Sequence, residues 1–183
     1  MPPKTLHLYH KLEEQQMDII NSVADLDKHV ITYRLFDNKW HILEIIQHLV
    51  MSENLSLIYL RKKWKYTQNL PPKTFITDFR SWLLLFFMWF PIPLKAPARV
   101  IVFDPDKTGS ELIREWGQTR TQMKNFLEEM DLDVFQKEFY KHPAVGKLTL
   151  HHMLQFFYAH IKRHKKQIQR ILLQIHTKSQ DRL

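Results

Sequence analysis

The 183-residue chain contains no cysteine. Disulfides, thiolate zinc sites and a cysteine nucleophile are therefore excluded, and any reactive thiol has to arrive with a cosubstrate. Glycine is nearly as scarce, with three residues and none of them in a glycine-rich loop. That scarcity argues against phosphate-cradling turns, tight hairpins and the α/β folds that depend on them. Long hydrophobic runs are missing too. The most apolar stretch, WLLLFFMWF at residues 82–90, runs straight into Pro91 and Pro93 and falls well short of the roughly 20 residues a membrane helix needs. No membrane span is expected, and this stretch reads as a buried or pocket-lining element. The opening residues, MPPKTLHLYHK, lack the apolar centre and small-residue cleavage site of a signal peptide, so the expected location is cytoplasmic.

What is present favours helices. Hydrophobic residues make up 44% of the chain, enough at this length to bury one sizeable core, and a single domain over residues 1–183 is the expectation. Lysine and arginine (27) outnumber aspartate and glutamate (19), for a net charge of +8. Such an excess suits an acidic partner without saying which.

Leu6, Leu12, Met17, Ile20 and Val23 recur among polar residues at helical spacing, predicting a first helix over residues 5–29 or so. Asp37 and Asn38 are candidate caps for a second helix that opens at Trp40 and stops near Gln68, before Pro71 and Pro72. Residues 73–107 carry proline breaks and the aromatic run, which predicts a short helix and then an extended crossover. Thr108 or Ser110 can cap a third long helix to Glu129, and its early acids suit the helix dipole. A polar connection over residues 131–147 follows, and Thr149 is a plausible cap for a last helix to about His176. The expected fold is all-α: a four-helix bundle with a long crossover between the second and third long helices.

The last helix carries the sharpest signal, FYAHIKRH at residues 157–164. At about 100° per residue, His160, His164 and Gln167 fall in the same arc as Met153, Phe156, Phe157, Ile161, Ile168, Ile171, Leu172 and Ile175. Gln155, Lys162, Lys165, Lys166, Gln169 and Arg170 fill the opposite arc, so both imidazoles point inward. Two inward rings one turn apart leave several ring nitrogens to satisfy, and a shared metal ion would do so. A stable site wants at least three ligands, so a third must come from another helix. His48 is the best candidate, because Ile42, Leu43, Ile45, Ile46, Leu49 and Val50 make its helix apolar almost all round; His41 is a reserve. A lone histidine on an apolar face is more often a hydrogen-bonded core residue. HIKRH lacks the glutamate of the HExxH zinc-protease motif.

Two blocks, NKWHILEIIQHLVMSE and HPAVGKLTLHHMLQFFYAHIKRH, together with the chain's overall organisation, resemble the DinB-like superfamily. The resemblance covers nearly the whole chain and implies a four-helix bundle with three histidines on a divalent metal: one from the second helix and an HxxxH pair from the fourth. By position these are His48, His160 and His164. It implies either a thiol-dependent transferase or a metal-dependent hydrolase, with a small-molecule substrate and, for the former, a low-molecular-weight thiol as partner. Zinc or nickel is the expected metal, and a homodimer is among the expected oligomeric states.

Three functions compete. The first is an enzyme whose three-histidine metal keeps an open position, with Glu44 or Glu53 as base or orienting group; as the plain alternative, both carboxylates face solvent. The second is a nucleic-acid-binding module suggested by RKKWK at residues 61–65, with Trp64 and Tyr66 as stacking groups, and it is disfavoured because no nucleic-acid motif is present. The third is a bundle that holds a metal or small apolar ligand without catalysis.

Overall fold

The computed structural model describes residues 1–37, 39–66, 69–90 and 97–180. The proposed cap at Asn38, the helix end near Gln68, the stops at Pro91 and Pro93 and the side chain of Tyr66 lie outside the described residues.

The first long helix, α1 (Pro3–Val23), opens with proline in its first turn, where a missing N–H costs nothing. It buries Thr5, Tyr9, Leu12, Gln16, Ile19 and Val23, a stripe at alternating steps of four and three, and packs mainly on the last helix. The predicted single helix to about His29 is in fact two. After Val23 the chain turns, and a separate short helix, α2 (Lys28–Ile31), begins beyond Asp27. Asp25 and Asp27 are residues whose short polar side chains favour local turns over helix interiors.

The second long helix, α3 (Ile42–Tyr66), starts two residues later than predicted, because His41 rather than Asp37 caps it. The His41 amide donates to the Glu44 carboxylate at 3.1 Å, and the Glu44 amide donates to His41 Nδ1 at 3.2 Å. This is the reciprocal geometry of a capping box with imidazole in place of the hydroxyl.

The crossover contains α4 (Phe75–Trp89), capped reciprocally by Thr74 and Thr77. The third long helix, α5 (Gly109–Glu128), has a Thr108–Glu111 capping box. The connection read as merely polar holds a 3-10 turn (Leu132–Gln136) and a small antiparallel hairpin of β1 (Tyr140–His142) and β2 (Gly146–Leu148), with Tyr140 opposite Leu148 and His142 opposite Gly146. Gly146 sits at φ 84°, where a side chain would be strained. The last helix, α6 (Leu150–Gln180), is capped by Thr149, whose hydroxyl accepts from the His152 amide at 3.1 Å.

The four long helices α1, α3, α5 and α6 enclose a core in which Trp116, Phe139, Phe157, Ile45, Ile46 and Leu57 are almost completely buried. The long crossover runs between α3 and α5, as expected. No described helix is long and apolar enough to cross a membrane. The aromatic run is a correction: of residues 82–90 only Leu84 is buried, while Trp82 and Trp89 are more than half exposed. One side of α4 is taken by α6 and β2, and its other apolar side faces outward.

Candidate metal site

His48 lies in the second turn of α3, and His160 and His164 lie one turn apart in the middle of α6. The apolar arcs of both helices carry these three rings into the core, where they are 4%, 7% and 8% exposed. His160 Nε2 is 3.0 Å from His48 Nε2 and 3.2 Å from His164 Nε2. Among the described residues this is the one group of three or more potential metal ligands whose donor atoms all lie within 4.8 Å of one another.

For His48 and His164 the far side of the ring fixes what the near side offers. His48 Nδ1 lies 2.9 Å from the Val100 carbonyl, which can only accept, so the ring proton sits on Nδ1 and Nε2 presents a lone pair. His164 Nδ1 donates to Gln167 Oε1 at 3.0 Å, leaving its Nε2 bare as well. Two lone pairs thus converge on His160 Nε2, whose single proton can answer only one of them. A cation shared by all three nitrogens satisfies every lone pair. Tetrahedral Zn–N bonds of about 2.0–2.1 Å require ligand nitrogens about 3.3 Å apart, close to the two short separations here.

Burial holds the rings neutral. It pushes His160 well below the ordinary imidazole range, with the neighbouring histidines adding to the effect. His164 is pushed down to about 3 by burial and by His48, against a smaller opposing effect from Gln167. His48 is lowered by burial, with the Val100 carbonyl opposing. Neutral imidazole is the form that ligates a metal.

Aromatic rings wall the centre. Trp40 lies 4.9 Å from His48 and stacks on His164 at 6.2 Å, Phe103 meets the edge of Trp40 at 5.3 Å, and Phe156 stacks on His160 at 5.1 Å. Gln47, the neighbour of His48 in sequence, binds both backbone groups of Asp104 at 2.9 Å. That clamp holds the end of the crossover against α3, a few residues from the Val100 carbonyl that orients His48.

The structure brings His48, His160 and His164 together and leaves the other candidates elsewhere. His41 is committed to its cap, with Nε2 3.7 Å from the Glu44 carboxylate. Neither glutamate is a solvent-facing carboxylate. Glu44 is buried and bonded to Arg34 and the His41 amide. Glu53 is buried between α3 and α5, where it accepts from Trp116 Nε1 at 3.1 Å and from Arg120 through Nη2 at 2.7 Å and through Nε. In the basic run, Lys63 donates to the Phe139 carbonyl at 2.9 Å and Trp64 leans on Phe139. Of the residues that orient the ligands, Gln167 was visible in the inward arc. Val100 acts through its backbone and leaves no side-chain signal.

The model of the DinB superfamily matches residues 11–168. No curated protein matches the chain. Among solved structures the chain is similar to YfiT from Bacillus subtilis, a probable metal-dependent hydrolase with an unusual four-helix bundle topology. The TM-score is 0.65 at 16% identity, over 96% of this chain and 90% of that one. The likeness in fold agrees with the family match, whose span includes all three clustered histidines: the chain belongs to the DinB superfamily.

Proposed function

We propose that the protein is a metal-dependent enzyme that acts on a small molecule, as a thiol-dependent transferase or a hydrolase, with a divalent zinc or nickel ion held by His48, His160 and His164. The observation that carries this reading is the convergence of three neutral, buried imidazole nitrogens, two of them with their lone pairs fixed by partners behind the ring. Bound there, the metal supplies a Lewis acid that lowers the pKa of a water or thiol entering its free position. The chain's own residues do the rest. Val100 and Gln167 hold two rings in the ligating tautomer, and Trp40 and Phe156 stack against the rings and limit water around them. In this reading the protein works in the cytoplasm, a setting with which its lack of cysteine is compatible.

The test is metal analysis of untagged protein. About one zinc or nickel ion per chain is expected, and its loss is expected in the His160→Ala/His164→Ala double variant. Wild-type protein without a stoichiometric ion would sink the reading. A second reading, a bundle that holds the metal without catalysis, draws on the engagement of Glu44 and Glu53 by arginines, which leaves neither of the two carboxylates considered as bases free for that role. Incubation with low-molecular-weight thiols and electrophilic substrates separates the two: metal-dependent turnover supports the enzyme, and its absence across hydrolase and transferase substrates supports the binding protein.

A further inference from the structure

The helix α4 has one side packed on the rest of the described structure and an opposite, apolar side that the described structure leaves uncovered. Thr77, Ser81 and Leu84 are buried, with Met88 in line beyond them. On the other side Phe75, Phe79, Trp82, Phe86 and Trp89 recur at steps of four, three, four and three and are between 39% and 85% exposed. They fall within an arc of roughly 80°. Ile76 and Phe90 widen the stripe. The rings are ordered against one another: Phe79 stacks on Trp82 at 5.9 Å, Trp82 on Phe86 at 5.6 Å, and Phe86 packs on Phe90 at 4.4 Å.

A mean step of 3.5 residues keeps a stripe facing a second helix along its whole length. At about 200 Å² for each aromatic side chain, the exposed fractions leave on the order of 700–800 Å² of apolar surface open. A standard protein interface takes about 800 Å² from each partner, and monomers rarely leave so large an apolar patch uncovered. The stripe is also close to symmetric about its centre. Phe75 and Trp89 lie seven residues either side of Trp82, with Phe79 and Phe86 at three and four, so it can pair with itself in reverse. Lys162 sits 4.5 Å over the Trp89 ring at one end, and Asp78, which also contacts Lys73 and His152, lies near the other. Antiparallel pairing brings these unlike charges toward each other, whereas parallel pairing would set each against its own copy.

We propose that α4 is the association helix of a homodimer, in which two copies pack their aromatic stripes antiparallel about a two-fold axis near Trp82. An isologous contact of this kind closes on itself and leaves no free patch for further growth.

Sedimentation velocity at micromolar concentration tests it. Wild-type protein is expected at twice the mass of the chain. Trp82→Glu is expected to run at the monomer mass with its helical circular dichroism unchanged and its metal content equal to that of wild type. Because the chain has no cysteine, introduced thiols report the geometry separately. Trp82→Cys is expected to give a disulfide-linked dimer on mild oxidation. Phe75→Cys is expected to cross-link with Trp89→Cys in a mixture and not with itself, since like ends are about 20 Å apart along the seam. Monomeric wild-type protein, or a dimer that survives Trp82→Glu, overturns the proposal. So does a monomer whose Trp82 instead drives binding to phosphatidylglycerol vesicles.

Discussion

In the proposed site, two of the three ligating nitrogens are set by a contact on the other side of the ring, so metal affinity there would depend on residues that never touch the ion. Gln167 is the clearest case, because its carbonyl oxygen keeps the His164 proton on Nδ1. Gln167→Ala should weaken metal binding by about 10–100-fold, measured by competition with a chelator, without changing stoichiometry at saturation. A second residue-scale expectation concerns His142, which lies 4.6 Å from Phe156 and accepts from the Ala144 amide. Burial pushes this imidazole down to about 4. The unfolded chain therefore binds a proton near pH 6.5 that the folded chain refuses until about pH 4. Stability is fully present above the unfolded pKa and falls as the pH drops between the two, by on the order of 2–3 kcal/mol from this group. In His142→Asn the urea midpoint should fall less steeply between pH 6.5 and 4 than in the wild type.

At the scale of elements, the pair between Glu53 and Arg120 joins α3 to α5, with Trp116 as a third partner and the Tyr9 hydroxyl of α1 donating to the Arg120 carbonyl at 2.7 Å. Both charges are buried, so removing one leaves the other without compensation. Glu53→Ala should cost about 3–5 kcal/mol by urea denaturation, and replacing both residues with methionine should recover much of that loss. Metal stoichiometry should remain at one in Glu53→Gln, as fits a carboxylate that tethers helices. The sequence could not reveal this pair, since Glu53 and Arg120 are 67 positions apart and each reads alone as an ordinary surface charge. Helix faces were legible because apolar periodicity records them directly: the inward turn of His160 and His164 follows from the residues around them. Ends were less legible. His41 caps α3 with an imidazole, which a search for serine, threonine, aspartate or asparagine passes over. Apolar content misled at α4, because it reports a wish to be covered without saying by what. The hairpin β1–β2 was hidden by its length of three residues per strand.

Across the whole molecule the three histidines tie together helices far apart in the chain, His48 in α3 and His160 more than a hundred residues later in α6. The unfolded chain brings only His160 and His164 near each other, so a metal held by all three would bind the folded state in preference and its binding free energy would add to folding. At a free metal concentration about 100 times the dissociation constant the gain is about 2.7 kcal/mol, which for a chain of this size raises Tm by on the order of 5–10 °C. Differential scanning fluorimetry with and without Zn²⁺ or Ni²⁺ should show that rise in the wild type. It should be absent in His48→Gln, which keeps the pair on α6 and removes the crosslink to α3. A variant that still gains the full rise would mean that α6 alone holds the ion. The fold would then draw no stability from a bridge between its helices, whatever the protein catalyses.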